Sequence, residues 1–373
     1  MRVSVPSIPH VVLPNRPRIP PAEAIERLTN FLRPTKNVSV LTGAGVSVDS
    51  GIRAYRGKDG RYMNPNYQPI FYHELMDRTE KGFKFRQRYW LRSYLGYPPI
   101  RDAQPNRTHY AIAALQYSGN VSQLITQNVD ALHNKAASSF WSDSEIARHI
   151  LQLHGTLHRV RCSSGHKVDR ETFQEMLSIS NPYWKQFVDD MDERGEKPRT
   201  NPDGDVALEG VSYDEYKVPS CPECHDEGRG NSAFKPEVVF FGESIPELDR
   251  DASFKHVDSS DRLLVIGTTL ATYSAFRLVK RALEQRKPVL VLNVGPTRAD
   301  DLPGLEKIEV PTSLVLREVV RELTGQKAAE DPVLAQLLNS GVYMPPFDYE
   351  EYRDESGIEP GEVVTPTTST VGV

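Results

Sequence analysis

The sequence lacks three features that would each point to a particular class of protein. It has only 3 cysteines in 373 residues, so a disulfide framework is not indicated and a reducing compartment fits better. It has no apolar run long enough to span a bilayer. Its formal net charge of −5 gives no reason to expect a nucleic-acid surface. With 38% apolar and 25% charged residues, the composition is that of a globular protein with a large core and room for a second, smaller module.

The two ends of the chain differ in composition from its middle. Residues 1–22 carry three arginines and no acidic residue, as organelle transit peptides do, whereas their prolines favour a disordered leader. Both interpretations stay open. After Gly325 the chain becomes acidic and polar, and we expect residues 326–373 to form a loosely attached or disordered tail.

Short apolar runs alternate with helical patterns through the middle of the chain. The runs are of the buried parallel-strand type: NVSVLTG, NVSQLITQN, HILQLHG, PEVVFFGE, DRLLVIGTT and KPVLVLNVG. This alternation predicts an α/β fold with a doubly wound parallel sheet. Residues 57–105 and 158–235 break the rhythm. We expect them to build a smaller lobe, the first through a helix around FKFRQRYWLRSYL and the second around the cysteines.

Small or hydrogen-bonding residues follow these strands at their carboxyl ends, where open parallel sheets bind ligands. The first strand runs into LTGAGVSVDSGIRAYRG, whose glycines suit a backbone that approaches a pyrophosphate closely. The stretch lacks the third glycine of the GxGxxG fingerprint, and a tight turn is the alternative interpretation. The other strand ends deliver Gln127-Asn128-Val129-Asp130, His154-Gly155, Gly267-Thr268-Thr269 and Asn293-Val294-Gly295.

Taken together, several segments resemble the sirtuins, the NAD-dependent protein deacylases. They are GAGVSVDSGIRAYRG, TQNVDALH, LHGTLH, the CPEC pair, FKPEVVFFGE, GTTLATYSA and LNVGPTR, in the family's order across residues 25–320. RQRYW, NPDGDV and LNVGPTRADDL look most like the class II branch and its mitochondrial sirtuin-four-like members. The resemblance implies a catalytic domain over residues 23–325. It would comprise a Rossmann-type NAD lobe and a smaller lobe made of a helical insertion and a zinc-ribbon-like module.

The resemblance also implies roles for individual residues. Arg53 departs from the family, which usually has proline there, and this puts the pre-organisation of the loop in question. The implied cofactor-loop residues are Gly43, Ala44, Gly45, Ser47, Tyr55 and Arg56. The implied ribose and nicotinamide pocket holds Gln127, Asn128 and Asp130, of which the last two also belong to the catalytic set. Contacts to the adenosine side are implied for Gly267, Thr268, Thr269, Asn293 and Gly295.

His154 is the candidate general base. It closes an apolar strand and precedes a glycine, so its imidazole can point into the cleft, and histidine titrates near neutrality. The resemblance assigns it the removal of a proton from a ribose hydroxyl of NAD. His158 and His133 are the competing histidines, and we expect them to be structural.

A metal site is predicted around the three cysteines. Cys221-Pro-Glu-Cys224 has the spacing of a zinc knuckle, and Cys162 belongs to a first pair whose second cysteine, present in the family, is missing. His166 follows closely and can supply a nitrogen, so we predict structural zinc on Cys162, His166, Cys221 and Cys224. The alternative is three buried or idle cysteines in a degenerate module.

The acyl group and the balance of activities stay open. Tyr89 and Arg92 have the Tyr-x-x-Arg spacing with which desuccinylating sirtuins hold acidic acyl groups, or they are an ordinary helix face. The resemblance implies acylated-lysine proteins or peptides as partners. The net charge and the lack of a long apolar run predict no nucleic-acid and no membrane partner. We further expect a monomer and a mitochondrial matrix location, with the cytoplasm or nucleus as the alternative. Protein mono-ADP-ribosyl transfer, lipoamide removal and non-catalytic NAD sensing are the alternatives to lysine deacylation.

Overall fold

The structure is a computed structural model. It describes residues 19–35, 37–55, 69–196, 201–204, 206, 212–230 and 233–344, and statements about structure below refer to these residues.

A parallel six-stranded sheet forms the centre of the larger lobe. Its strand order is β3-β2-β1-β7-β8-β9, and every neighbouring pair is parallel. The strands are β1 Val38–Thr42, β2 Gln123–Thr126, β3 Ile150–Gln152, β7 Arg262–Ile266, β8 Val289–Leu292 and β9 Leu305–Ile308. This confirms the predicted doubly wound α/β sheet. The edge strand β9 went unpredicted, because its half-buried sequence LEKI is not an apolar run.

Helices cover both faces of this sheet, which is why its central strands are apolar on both sides. All five residues of β1 are buried. One face packs against α1 Pro21–Leu32, α4 Arg107–Tyr117, α5 Leu132–Ala137, α6 Asp143–His149 and α12 Thr312–Thr324, and the other against α10 Glu247–Ser259 and α11 Tyr273–Glu284. Among the described residues, no helix combines the length and apolar character that crossing a membrane requires.

The smaller lobe combines helices with a three-stranded antiparallel sheet of order β5-β4-β6. Its core packs Trp90, Phe173 and Phe234 together, and the Trp90 indole Nε1 donates to the Phe234 carbonyl at 3.2 Å. The strands are β4 Gly155–Cys162, β5 Lys167–Asp169 and β6 Phe234–Val238. The helices are α2 Tyr72–Leu75, α3 Glu80–Asp102, α7 Arg170–Ser180, α8 Pro182–Glu193 and α9 Pro222–Asp226.

The expectation that PEVVFFGE joins the parallel sheet is wrong. Its strand part lies in β6, which pairs antiparallel with β4 in the smaller lobe. An apolar run indicates that a strand is buried, but it carries no information about which sheet takes it up.

The expectation of a loose tail from residue 326 is also wrong for the described part of that segment. Residues Lys327–Glu330 form α13 and Pro332–Asn339 form α14, which begins at an Asp331 cap. Leu334, Leu337 and Leu338 are buried in the core of the larger lobe. Their apolar i, i+3, i+4 pattern extends over only a few residues. The polar composition of the surrounding segment therefore hid this helical pattern. Residues 345–373 lie outside the described residues.

Truncating Leu337 tests whether α14 belongs to the folded core. We expect Leu337→Ala to lower the free energy of unfolding by about 2–5 kcal/mol, because a buried leucine leaves a cavity. Gln336→Ala, on the exposed side of the same helix, should change it by less than about 0.5 kcal/mol. Urea unfolding measures both. Equal effects of the two substitutions would show that α14 does not pack on the core.

Candidate active site

The site lies at the carboxyl edge of the parallel sheet, between β1 and β7. From β1 the chain goes on to β2 on one side, and from β7 it goes on to β8 on the other, so the crevice opens where the strand order reverses. The loops after β1 and β7 touch: the Gly45 amide donates to the Gly267 carbonyl at 2.9 Å. A Cβ on Gly45 would lie 2.7 Å from that same oxygen, and Gly267 has φ +58°. Both positions therefore require glycine.

Ser47 joins the predicted cofactor loop to the residues that follow β2. It lies on a 3₁₀ helix, Ala44–Ser50, that begins directly after Gly43. Its hydroxyl donates to Asp130 Oδ2 at 2.7 Å and accepts from Asn128 Nδ2 at 3.0 Å. All three side chains are buried, and burial raises the pKa of the Asp130 carboxyl although Leu132 N and Ser47 donate to it. The structure thus brings together three residues, although Ser47 and Asp130 are 83 positions apart in the chain.

Gln127 connects the ends of three neighbouring strands. Its side-chain amide donates to the Thr42 carbonyl at 3.1 Å and to Thr268 Oγ1 at 2.9 Å, and its oxygen accepts from Thr272 Oγ1 at 3.2 Å. The predicted residues Gln127 and Thr268 therefore belong to one rigid floor of the crevice. Thr272 went unnamed at the sequence level, because nothing local marks it as a partner of Gln127.

His154 lies between the two lobes, in the short turn that joins β3 to β4. Its Nε2 is 2.8 Å from Ser274 Oγ, at the start of α11. Burial lowers the pKa of His154 to about 4, a hydrogen bond to the Gln127 main chain opposes this, and the charge of Arg277 adds to the lowering. The imidazole is therefore neutral near pH 7 and can accept a proton, as a general base must.

The loop after β8 is held by a buried ion pair. Gly295, with φ +82°, donates its amide to Glu309 Oε1 at 3.1 Å and accepts at its carbonyl from Asn293 Nδ2 at 3.1 Å. Lys307 Nζ reaches the same carbonyl at 2.9 Å and Asp300 Oδ2 at 2.7 Å. This fixes the predicted residues Asn293 and Gly295 at the same sheet edge. The Thr269 carbonyl accepts from Arg298 N at 2.9 Å and joins the two loops.

The remaining predicted contacts are less closely grouped. Gly43 donates its amide to Ile266 O at 3.2 Å, and Ala44 and Tyr55 belong to the loop segment that the structure describes. Arg56 lies outside the described residues.

The candidate acyl-binding pair lies in the smaller lobe. The Tyr89 side chain is buried with its ring edge-on to Phe240, at a centroid distance of 5.7 Å. Arg92 Nε donates to the Val206 carbonyl at 2.6 Å. Part of the Arg92 guanidinium is therefore already engaged by the main chain of its own lobe.

The predicted metal ligands converge. The ligand atoms of Cys162, His166, Cys221 and Cys224 all lie within 4.8 Å of one another. Cys162 Sγ is 3.7 Å from Cys224 Sγ, and His166 Nδ1 is 3.3 and 3.5 Å from the sulfurs of Cys224 and Cys221. A tetrahedral zinc ion with Zn–S bonds of about 2.3 Å separates its sulfurs by roughly 3.8 Å. The four side chains therefore fit a Cys₃His site, in which His166 stands where a fourth cysteine is missing.

Two buried histidines contact the end of β1 and the predicted cofactor loop. Only His133 has a role predicted from the sequence. His133 Nε2 is 3.0 Å from Thr42 Oγ1, and His109 Nε2 is 3.4 Å from Ser47 Oγ. The rings meet edge to face at a centroid distance of 4.7 Å. The expectation that His133 is structural agrees with this contact. A histidine on the otherwise apolar face of α4 was the available signal for His109.

His133 makes the stability of the protein dependent on pH. Burial lowers its pKa from 6.5 to about 3, so the unfolded chain binds a proton there below pH 6.5 and the folded chain does not. Its contribution to stability is complete above that pH and is lost as the pH falls toward 3. Lowering the pH from 7 to 5 reduces the free energy of unfolding of the wild type. We expect this reduction to be about 2 kcal/mol smaller in His133→Gln.

Urea unfolding at the two pH values measures this difference. His73→Gln, at an exposed position of α2, is the matched control and should leave the loss unchanged. If His133→Gln behaves like that control, the His133 ring is accessible to protons in the folded state.

Comparisons with known proteins agree with this geometry. The sequence model of the Sir2 family matches residues 43–274. The chain is 43% identical to the NAD-dependent protein deacylase SIR4 of Batrachochytrium dendrobatidis over 303 residues, which cover 80% of this chain and 93% of that protein. It is 36% identical to the mitochondrial NAD-dependent protein lipoamidase sirtuin-4 of Bos taurus, covering 79% and 85%. A solved Sir2 homolog–NAD complex, 26% identical, aligns with a TM-score of 0.54 over 80% of this chain and 93% of the other.

The family model spans more than half of this chain, and the two relatives align with about four fifths of it. The predicted resemblance is therefore confirmed. The chain belongs to the Sir2 family, the sirtuins.

Proposed function

We propose that this protein is an NAD-dependent protein lysine deacylase, which moves an acyl group from lysine to ADP-ribose and releases nicotinamide. The observation that carries this proposal is the crevice between β1 and β7, where glycine backbone, the Ser47–Asn128–Asp130 network and neutral His154 share one edge. The relatives named as NAD-dependent deacylases support it.

The residues of the crevice fit a dinucleotide. At Gly45, which is exposed, and at Gly43, a Cβ would run into the loop after β7, so both positions keep a bare backbone that a pyrophosphate could approach closely. Gln127, Asn128 and Asp130 would bind the ribose and nicotinamide, and Asn293 and Gly295 would bind the adenosine side. When NAD is bound, it supplies the activated ribose carbon that the acyl oxygen attacks.

The task of His154 is to take a proton from a ribose hydroxyl. Its low pKa keeps the base neutral and ready, at the cost of weak basicity. The ribose oxygen freed in this way would attack the acyl carbon. Water would then release the lysine amine and leave the acyl group on the ribose. Acylated-lysine segments of proteins are the substrates that this chemistry requires.

Removing the base tests the proposed reaction. We expect His154→Ala to lower acyl-lysine-dependent nicotinamide release by about 10²–10⁴-fold, while NAD binding measured by calorimetry changes little. His73→Ala, at an exposed position of α2, is the control. Undiminished release in His154→Ala would show that His154 is not the base.

Lipoamide removal is the second candidate function, because a relative 36% identical to this chain is named as a lipoamidase. Peptides carrying acetyl-, succinyl-, glutaryl- and lipoyl-lysine separate the two, and label from NAD that stays on protein would indicate ADP-ribosyl transfer. Tyr89 and Arg92 remain our candidate acyl-binding pair. Because Arg92 already donates to Val206 O, an acidic acyl group would share this guanidinium with the main chain.

We further propose that Cys162, His166, Cys221 and Cys224 hold a structural zinc ion that locks β4 to the α9 segment. His166 Nε2 lies 3.5 Å from Glu227, a carboxylate that can orient the ring. Zinc would stabilise the smaller lobe and take no part in the reaction.

Metal analysis of the purified protein tests the zinc site. We expect about one zinc per chain, and loss of most of it together with a lower midpoint of thermal unfolding in His166→Ala. His225→Ala is the matched control, since His225 is exposed and directly follows Cys224 without joining the cluster. Zinc content near zero in the wild type would contradict the assignment.

The location and assembly of the protein also remain proposals. A relative is named as mitochondrial, which supports import into mitochondria. Of the predicted leader, residues 1–18 lie outside the described residues, and its last two residues already belong to α1. We propose that the protein acts as a monomer.

A further inference from the structure

Ser274 contacts the candidate base directly. Its hydroxyl lies 2.8 Å from His154 Nε2, and the two residues are 120 positions apart in the chain. Ser274 is the second residue of α11, and its side chain is only half-buried, on the side of the crevice. None of the roles given above involves this contact.

The loop that presents Ser274 is fixed at several points. Thr272 Oγ1 donates to Gln127 Oε1, and Arg298 Nη1 donates to the Ala271 carbonyl at 3.2 Å. Leu270 is buried in the left-handed region with φ +54°, and its amide donates to Thr268 Oγ1 at 3.1 Å. A non-glycine residue in this region is strained, and the surrounding contacts must offset that strain. The contacts of the loop after β7 therefore fix the position of Ser274.

The contacts of the ring define its tautomer. The Gln127 main chain hydrogen-bonds the imidazole in the sense that favours the protonated form, so a ring N–H faces the Gln127 carbonyl. Since Ser274 occupies Nε2, that N–H is on Nδ1. Nε2 then has a lone pair, and the hydroxyl of Ser274 donates to it while its own oxygen remains free to accept.

We propose that Ser274 carries the proton from the ribose hydroxyl to His154, an inference that rests on the proposed deacylase function. The ribose O–H bond breaks, and its proton goes to Ser274 Oγ as the proton of Ser274 moves to His154 Nε2. The products are a neutral serine, an imidazolium and a ribose oxygen whose freed electron pair attacks the acyl carbon. His154 is thus the base, and Ser274 is the group that touches the substrate hydroxyl.

The surroundings of the pair suit such a relay. Arg277 lies one turn after Ser274 on α11, and its charge disfavours the imidazolium. A disfavoured imidazolium gives up its proton readily, so the same hydroxyl and imidazole groups could return the proton to the leaving lysine.

A pair of variants of equal shape isolates the hydroxyl. Ser274→Thr keeps it and Ser274→Val replaces it with a methyl group. We expect Ser274→Val and Ser274→Ala to lower kcat by about 10²-fold while KM for NAD changes by less than about threefold, and Ser274→Thr to stay within about tenfold of the wild type. Tyr273→Phe, at the exposed preceding residue, is the surface control and stays within about twofold of the wild type.

A second measurement reports how many protons are transferred together in the reaction. In mixtures of H₂O and D₂O, the wild-type rate should depend on the deuterium fraction along a curve, because two protons move together. The Ser274→Ala rate should depend on it linearly. Equal rates in Ser274→Val and Ser274→Thr, a faster Ser274→Ala, or a linear wild-type dependence would each overturn the relay.

The failure of the relay can be told apart from the failure of the proposed function. ¹⁵N NMR of the imidazole reports the His154 tautomer without any turnover, and we expect an Nδ1–H ring in the wild type. A wild type that releases nicotinamide with acyl-lysine peptide, together with an unimpaired Ser274→Ala, overturns only the relay. A wild type that shows the Nδ1–H ring but no acyl-lysine-dependent release overturns the deacylase assignment and the relay that rests on it.

Discussion

Two backbone loops approach each other closely at the carboxyl edge of the sheet, and the candidate site is built around their contact. Gly45 and Gly267 touch through a 2.9 Å hydrogen bond at the ends of β1 and β7, and a side chain at either position would separate them. Because the loops meet there, the chain from β1 and the chain from β7 diverge around an open crevice. That contact fixes the positions of the candidate cofactor residues on both sides.

A site at this edge requires polar groups that are buried or, in the case of His154, half-buried. Asp130, His109, His133 and His154 all have pKa values shifted toward their neutral forms, with burial as the largest cause in each case. Most of them are held by hydroxyl groups, which can donate or accept as required. The Ser47 hydroxyl holds Asp130, the Thr42 hydroxyl holds His133, and the Ser274 hydroxyl holds His154.

The candidate base His154 also joins the two lobes. His154 O accepts from Val239 N at 3.0 Å, and the next residue, Gly155 with φ +78°, would place a Cβ 1.8 Å from Glu237 O. The main chain of His154 is therefore fixed where the parallel sheet gives way to the antiparallel sheet that carries the candidate metal ligand Cys162.

Local sequence patterns were enough to predict the layered α/β fold, the edge of the sheet where the candidate site lies and most of its polar residues, because apolar runs and the residues that end them are local properties. They also marked Cys221 and Cys224 through their spacing. They failed for β6, whose choice of sheet depends on pairing with β4, and for α14, whose leucines are buried only because the domain offers a surface to cover them. The pattern also offered His166 as the fourth ligand, and the fold brings its ring to the three cysteines. The contact between Ser274 and His154 could not be predicted, since residues 120 positions apart leave no periodic trace of their contact in the chain.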